Sequence, residues 1–245
     1  MDSIKQAAEL IKNSNYCIAY TGAGISVESG IPPFRGESGL WSKYNPIILD
    51  INYFKQNPFT SWSVIKEIFY DFFGEALPND AHKGLAKLEN AGYVKSVITQ
   101  NIDNLHQLAG SQTIYEFHGN SHTLACTSCS CSYSIPELNF EDLPVLCPKC
   151  NGLIKPGFIF FGEGIPQYAY QKSIEEAKNA DVVIVIGSTG EVVPAAYIPR
   201  MAKQNNAKII ELNTEKSMFT NSITDIFIQD KASKSMNLII EILNI

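Results

Sequence analysis

Apolar positions along this chain follow two alternating patterns, helical stripes and unbroken runs. Residues 3–13 put Ile4, Ala7, Ala8 and Ile11 on one face of a helix, with Ser3 placed to cap it and Asn13-Ser14-Asn15 to end it. Tyr16 to Tyr20 is then a continuous apolar run, the pattern of a strand covered on both faces. The succession repeats. A helix over residues 78–90 turns Leu85 and Leu88 inward and stops at Ala91-Gly92, and strands follow at 94–98 and 114–117. Beyond residue 165 the spacing predicts a helix at 168–179, a strand at 182–186, a helix at 194–204, a strand at 208–213, a short strand near 226–228 and a last helix from Ser233. Runs without internal alternation, linked by amphipathic helices, predict an α/β fold whose parallel sheet carries helices on both faces.

Two stretches interrupt that pattern. Residues 50–74 are aromatic-rich and read as helical, with Phe54, Phe59, Trp62, Ile65, Phe69, Phe72 and Phe73 forming either a packed helical module or the wall of an apolar channel; core packing is the reading for most of them. Residues 153–164 form an apolar extended run ending in glycines, whose open backbone is expected to pair with a peptide by strand addition.

Between them lie Cys126-x-x-Cys129 and Cys147-x-x-Cys150. Two such pairs at this separation have the spacing that closes a tetrahedral Zn²⁺ site, each pair forming a knuckle that turns its sulfurs inward. Two disulfides or two redox motifs are the alternatives, but the first residues lack the basic and apolar regions of a secretory segment. Four protein ligands leave no position for water, so the metal is expected to be structural. Cys131 is a rival ligand that fits the spacing less well than Cys129, and Cys17 reads as a small buried hydrophobe.

Composition narrows the classes without choosing among them. The 245 residues are 45% hydrophobic and 18% charged, values of a globular chain. A formal net charge of -6 argues against a general nucleic-acid surface, and no apolar run approaches a membrane span. The expectation is a cytoplasmic protein without a membrane or direct nucleic-acid partner.

Candidate chemistry collects where strands end. The first strand runs into Gly22-Ala23-Gly24-Ile25-Ser26, where missing Cβ atoms would let backbone N–H groups approach a pyrophosphate; the third glycine of the usual fingerprint is absent, and an ordinary tight strand-to-helix turn is the alternative. Phe34-Arg35-Gly36 lies in a stretch poor in regular structure, suited to a lid. The second strand delivers Gln100, Asn101, Ile102 and Asp103, the third delivers His118, and the strand at 182–186 opens into Gly187-Ser188-Thr189-Gly190.

Taken together these motifs, with Phe161-Gly162-Glu163 and Asn213 in the same order, resemble the sirtuin family of NAD-dependent protein lysine deacylases over nearly the whole chain. The resemblance implies a Rossmann-type domain (1–35, 78–120 and 153–245), a lid and helical insertion (36–77) and a zinc ribbon (121–152). It implies that Gly22, Ala23 and Gly24 hold the pyrophosphate of NAD and that Phe34 and Arg35 belong to the lid. Gln100, Asn101, Ile102 and Asp103 would hold the nicotinamide ribose and carboxamide. Gly187, Ser188, Thr189, Asn213 and Ala232 would line the adenosine side. His118 would be the general base, aided by Asn101 and Asp103. Phe161, Gly162 and Glu163 would form one edge of the substrate slot and Gly190 and Val192 the other. The implied reaction yields nicotinamide, O-acyl-ADP-ribose and free lysine from acyl-lysine proteins or peptides, by a monomer or weak oligomer. The same fold used as an ADP-ribosyltransferase or NAD glycohydrolase, or as a non-catalytic NAD sensor, are the competing readings.

Departures from the family pattern bear on substrate. Lys155-Pro156 stands where Arg-Pro is usual, and Gly190-Glu191 replaces an apolar residue. The Tyr-x-x-Arg pair that binds acidic acyl groups is missing, with Lys66 and Tyr70 the only substitute, so a neutral acyl group is expected.

Overall fold

The computed structural model describes residues 2–34 and 39–245; Arg35 and Gly36, assigned above to a lid, lie outside the described residues. In chain order the elements are α1 (Asp2–Asn13), β1 (Cys17–Thr21), α2 (Leu40–Lys43), α3 (Ile51–Gln56), α4 (Pro58–Ile65), α5 (Asp80–Asn90), β2 (Val94–Thr99), α6 (Leu105–Ala109) and β3 (Ile114–Glu116). There follow β4 (Thr123–Cys126), β5 (Ser132–Ser134), β6 (Ile154–Pro156), α7 (Gln167–Asn179), β7 (Val182–Ile186), α8 (Tyr197–Gln204), β8 (Lys208–Asn213), β9 (Ile226–Gln229) and α9 (Ala232–Leu243). Ser3 lies inside α1 rather than capping it, and α8 begins at Tyr197, later than the spacing at Pro194 predicted. Asn79 caps α5, its side chain accepting from the Ala81 amide.

Six parallel strands form the main sheet in the order β3-β2-β1-β7-β8-β9. This is the Rossmann order 3-2-1-4-5-6 with β4–β6 inserted before the second half. The unbroken apolar run of β1 is explained by its two neighbours across the sheet. Cys17 and Ala19 pack into the cluster with Ala7, Leu85 and Met236 from α1, α5 and α9, while Ile18 and Tyr20 pack into the one with Ala177 and Ile198 from α7 and α8. Alternate side chains of a strand point to opposite faces, so both must be apolar when both faces are covered.

The second lobe combines α2–α4, a π-helical segment at Lys66–Phe72 and the three-stranded antiparallel sheet β5-β4-β6. Its core is aromatic. Phe54, Trp62, Phe69, Phe158 and Phe160 are buried together, and the Trp62 indole donates to the Ile154 carbonyl at 2.9 Å. Each such side chain contributes roughly 1.5–3 kcal/mol by leaving water. Phe59 departs from the core assignment, being 61% exposed on the outer face of α4.

The apolar run at 153–164 is not an open strand. Only Ile154–Pro156 joins a sheet, Phe158 and Phe160 are buried, and the backbone of Phe161 already pairs with Leu49 and Ile51. Among the described residues no helix is long and apolar enough to cross a membrane.

Candidate active site

Strand order reverses between β1 and β7, and the carboxyl ends of these strands are where an open parallel sheet leaves a crevice for a ligand. The two turns at that point interlock backbone to backbone. Gly22 N–H donates to the Ile186 carbonyl at 3.0 Å and Gly24 N–H to that of Gly187 at 2.8 Å. A Cβ on Gly24 would sit 2.5 Å from Gly187 Cα, and Gly187 itself has φ +61°, the left-handed region glycine favours. The segment after the turn, Ala23–Ser29, is a 3-10 helix closed by Gly30 rather than the long α-helix of a full glycine fingerprint.

The carboxyl end of β2 is tied to this turn by side chains. Gln100 Nε2 donates to Ser188 Oγ at 3.1 Å, and Asn101 Nδ2 to the Gly22 carbonyl at 3.2 Å and Ser26 Oγ at 3.1 Å. Ser26 Oγ donates in turn to Asp103 Oδ2 at 2.6 Å. Burial pushes the Asp103 carboxyl up, against the hydrogen bonds from Ser26 and the Leu105 amide. Ile102 is buried beside them, its carbonyl accepting from both the amide and the hydroxyl of Ser121.

His118 follows β3, with Nδ1 3.0 Å from the Gln100 carbonyl oxygen. A carbonyl only accepts, so Nδ1 carries the hydrogen and Nε2 keeps its lone pair. Burial lowers the His118 pKa, opposed by that hydrogen bond, and the ring is therefore neutral near pH 7 with a basic Nε2.

On the other side, Asn213 at the end of β8 donates through Nδ2 to the Ser188 carbonyl at 3.2 Å. The Thr189 carbonyl accepts from the Met218 amide at 2.9 Å, and a Cβ on Gly190 would meet the Phe219 ring at 3.0 Å. Glycine at 190, unexpected from the family pattern, is thus what lets this edge lie on Phe219. Val192 is 36% exposed, and Ala232 is buried at the start of α9. Phe34 packs against Trp41 and Phe69, with centroids 5.5 and 6.4 Å away. Phe161 is 54% exposed beside a cavity of about 510 Å³ shared with Pro46, Ile47, Asp50 and Tyr53.

The four cysteines converge as the spacing requires. Their sulfurs lie within 4.8 Å of one another, with Cys126 and Cys150 3.5 Å apart and Cys129 and Cys147 3.7 Å apart. A tetrahedron of thiolates around zinc has edges of about 3.8 Å, from Zn–S bonds of about 2.3 Å, so the set fits the ion. The Ser128 and Cys129 amides donate to Cys126 Sγ and Tyr133 Oη lies 3.0 Å from Cys147 Sγ, contacts that suit thiolates. Cys131 is outside the cluster; its carbonyl takes the Cys126 amide.

A model of the Sir2 family matches residues 22–194. The chain belongs to the Sir2 family. The NAD-dependent protein deacylase 2 of Pyrobaculum aerophilum is 42% identical over 238 residues, 96% of this chain and 93% of its own. A solved Sir2 enzyme superposes with TM-score 0.91 at 44% identity, covering 99% of this chain and 98% of its own. A Sir2 complex with a p53 peptide and NAD⁺ superposes with TM-score 0.90 at 36% identity, covering 97% of each chain.

Within this Sir2 chain, sequence reasoning overlooked the layer beneath the site. Ser26 joins Asn101 to Asp103, and His82 Nε2 lies 3.4 Å from Ser26 Oγ. Thr21 Oγ1 donates to Thr99 Oγ1 and contacts His106 Nε2 at 2.9 Å. Burial lowers both imidazoles, His82 to about 4. Ser26 stood in the glycine motif and gave a signal; His82, within an amphipathic helix, gave none. Lys66 and Tyr70 are spent elsewhere, Lys66 on Asp71 at 2.7 and 2.8 Å and the Tyr70 hydroxyl on the Ser121 carbonyl at 3.0 Å.

Proposed function

We propose that this Sir2 protein is an NAD-dependent protein lysine deacylase acting on neutral acyl groups, with His118 as general base. The observation that carries the reading is the fixed tautomer of His118, a neutral imidazole whose basic Nε2 stands at the same sheet edge as the Gly22–Gly24 turn and the Asn101–Asp103 cluster. These residues suit NAD⁺: the Gly22–Gly24 and Gly187 turns pack on each other at the β1–β7 switch point, where open parallel sheets bind dinucleotides, and Gln100, Ser188 and Asn213 line the same edge with amides and a hydroxyl. NAD⁺ supplies an electrophilic ribose carbon, once nicotinamide departs, and a neighbouring hydroxyl.

In this reading Asn101 and Asp103, held by Ser26, orient the nicotinamide end, and Ile102 and Phe34 keep water from it. His118 Nε2 takes a proton from the ribose hydroxyl, a step that needs an imidazole unprotonated at neutral pH. Phe161–Glu163 and Gly190–Val192 align the acyl-lysine backbone, and a Sir2 relative has been solved with a p53 peptide and NAD⁺ bound. Cys126, Cys129, Cys147 and Cys150 would hold a zinc ion that fastens the small lobe, and four protein ligands would leave it a structural role. Lys66 is turned to Asp71, at 2.7 Å, and the Tyr70 hydroxyl to the Ser121 carbonyl, so neither is directed as a pair at an acidic acyl group. Thiolate ligands suit the reducing cytoplasm.

Incubation with NAD⁺ and acetyl-, butyryl-, myristoyl- and succinyl-lysine peptides, followed by mass spectrometry, tests the reading. O-acyl-ADP-ribose from the neutral peptides, and little from the succinyl one, is expected. NAD⁺ consumption without acyl transfer overturns it in favour of glycohydrolase or ADP-ribosyltransferase activity.

A further inference from the structure

Lys155 is buried where its ammonium meets three acceptors. Lys155 Nζ donates to the Phe158 carbonyl at 2.6 Å, the Pro156 carbonyl at 2.9 Å and Glu163 Oε2 at 3.0 Å, and stands 4.2 Å from the centroid of Phe160. An ammonium has three hydrogens, so its donors are all used. Lys155 is only 9% exposed, and an ion this buried persists when its hydrogen bonds and counter-charge are complete.

What the ammonium gathers is one strap, residues 156–163, with attachments at both ends. At one end the Ile159 amide donates to the His118 carbonyl at 2.9 Å. Gly119 is pressed so closely on the strap that a Cβ there would meet the Gly157 oxygen at 2.3 Å. At the other end Phe161 donates to the Leu49 carbonyl at 2.8 Å and accepts from the Ile51 amide at 3.1 Å. Glu163 closes the turn, accepting the Phe160 amide at 2.7 Å on the same oxygen that faces Lys155.

We propose that Lys155 is a positioning residue that sets the distance and angle between the His118 backbone and the Phe161–Glu163 substrate edge, by drawing the strap between them into one shape. The inference rests on the deacylase reading. Lys155 is buried with its three donors spent on Pro156, Phe158 and Glu163, so it acts through the strap. Its effect therefore falls on the acyl-peptide and spares the nucleotide, whose site is built at the β1–β7 switch point.

The test compares Lys155→Met, Lys155→Arg and Glu163→Gln with the parent zinc-loaded protein. Lys155→Met is expected to raise KM for an acetyl-lysine peptide about 10-fold or more and to lower kcat less, with ADP-ribose affinity within about 3-fold. Lys155→Arg, which keeps the charge, is expected to restore KM to within about 3-fold. Hydrogen exchange at the Ile159, Phe160 and Phe161 amides should quicken in Lys155→Met and return to the parent rate in Lys155→Arg. If Lys155→Met does not fold, Lys155→Gln carries the test, with the same rise in KM and the same faster exchange at those amides, while Glu163→Gln is read by the exchange alone. Unchanged KM and unchanged exchange overturn the proposal, as does parallel loss of peptide and ADP-ribose binding that arginine fails to restore. Should the parent protein show no acyl transfer, the deacylase reading fails, and exchange in the variants still decides whether Lys155 holds the strap.

Discussion

The two lobes reach order by different means. The parallel sheet buries Ile and Val runs on both faces and ends at its switch point in two interlocked backbone turns, Gly22–Gly24 against Gly187. The small lobe has three short strands, an aromatic cluster and four cysteines in place of a long sheet. Strands of three or four residues do not supply enough burial to hold together alone, which is where a metal adds folding free energy. The lesson is that the two lobes stand on separately breakable foundations, a sheet covered on both faces and an aromatic cluster beside four cysteines.

The sharpest way to break that division is to remove the metal. Stripping zinc with a chelator under reducing conditions should abolish deacylation and alter the near-ultraviolet dichroism of Trp62, while ADP-ribose binding survives within about 10-fold; full activity with metal verifiably absent would contradict the structural role. Next in size is His118→Ala, expected to cost roughly 10²–10⁴ in turnover with NAD⁺ binding retained, read by steady-state kinetics. Turnover near the parent value would remove His118 as the base.

Truncating the small lobe's anchor, Trp62→Ala, should destabilise by about 3–5 kcal/mol in denaturant melts through the cavity left in the aromatic cluster. Acid tests the other lobe. His82 and His106 are buried neutral, so the unfolded chain takes up protons first as pH falls below the ordinary imidazole value. Stability should drop from about pH 6.5 downward, with His82 alone accounting for about 3 kcal/mol by pH 4, and His82→Gln should flatten that slope.

The smallest effect is expected in turnover itself. Because burial lowers the His118 pKa, the acid limb of kcat/KM should lie below the usual imidazole range, and activity should fall only as pH drops through it. An acid limb above pH 6.5 would mean that the ring is stabilised as a cation in the free enzyme.

Much of this was legible in the chain. The runs at 16–20, 94–98 and 182–186 become β1, β2 and β7; β1 and β7 are apolar on both faces because both are covered, while β2 admits an exposed Lys95 and a buried Ser96 that donates to Glu176. The Cys-x-x-Cys pairs located the cluster, since thiolate spacing is a local property of two knuckles. Other features were hidden for physical reasons. Phe59 looks like its aromatic neighbours but faces outward, and a helix's sequence does not say how wide its covered face is. The run at 153–164 read as one strand, whereas the chain turns at Gly157 and Gly162 to bury Phe158 and Phe160.

The sequence alone determined the element types, the alternation that makes a parallel sheet and the identity of the polar groups at strand ends, because each depends on periodicity or on residues close in the chain. Only the tertiary structure decided which nitrogen of His118 is basic, that Ser26 serves Asn101 and Asp103, that Lys66 is spent on Asp71, and that Lys155 holds Glu163. Those outcomes depend on which acceptor lies within 3 Å of a donor once the chain has closed on itself, and no pattern along the chain carries that distance.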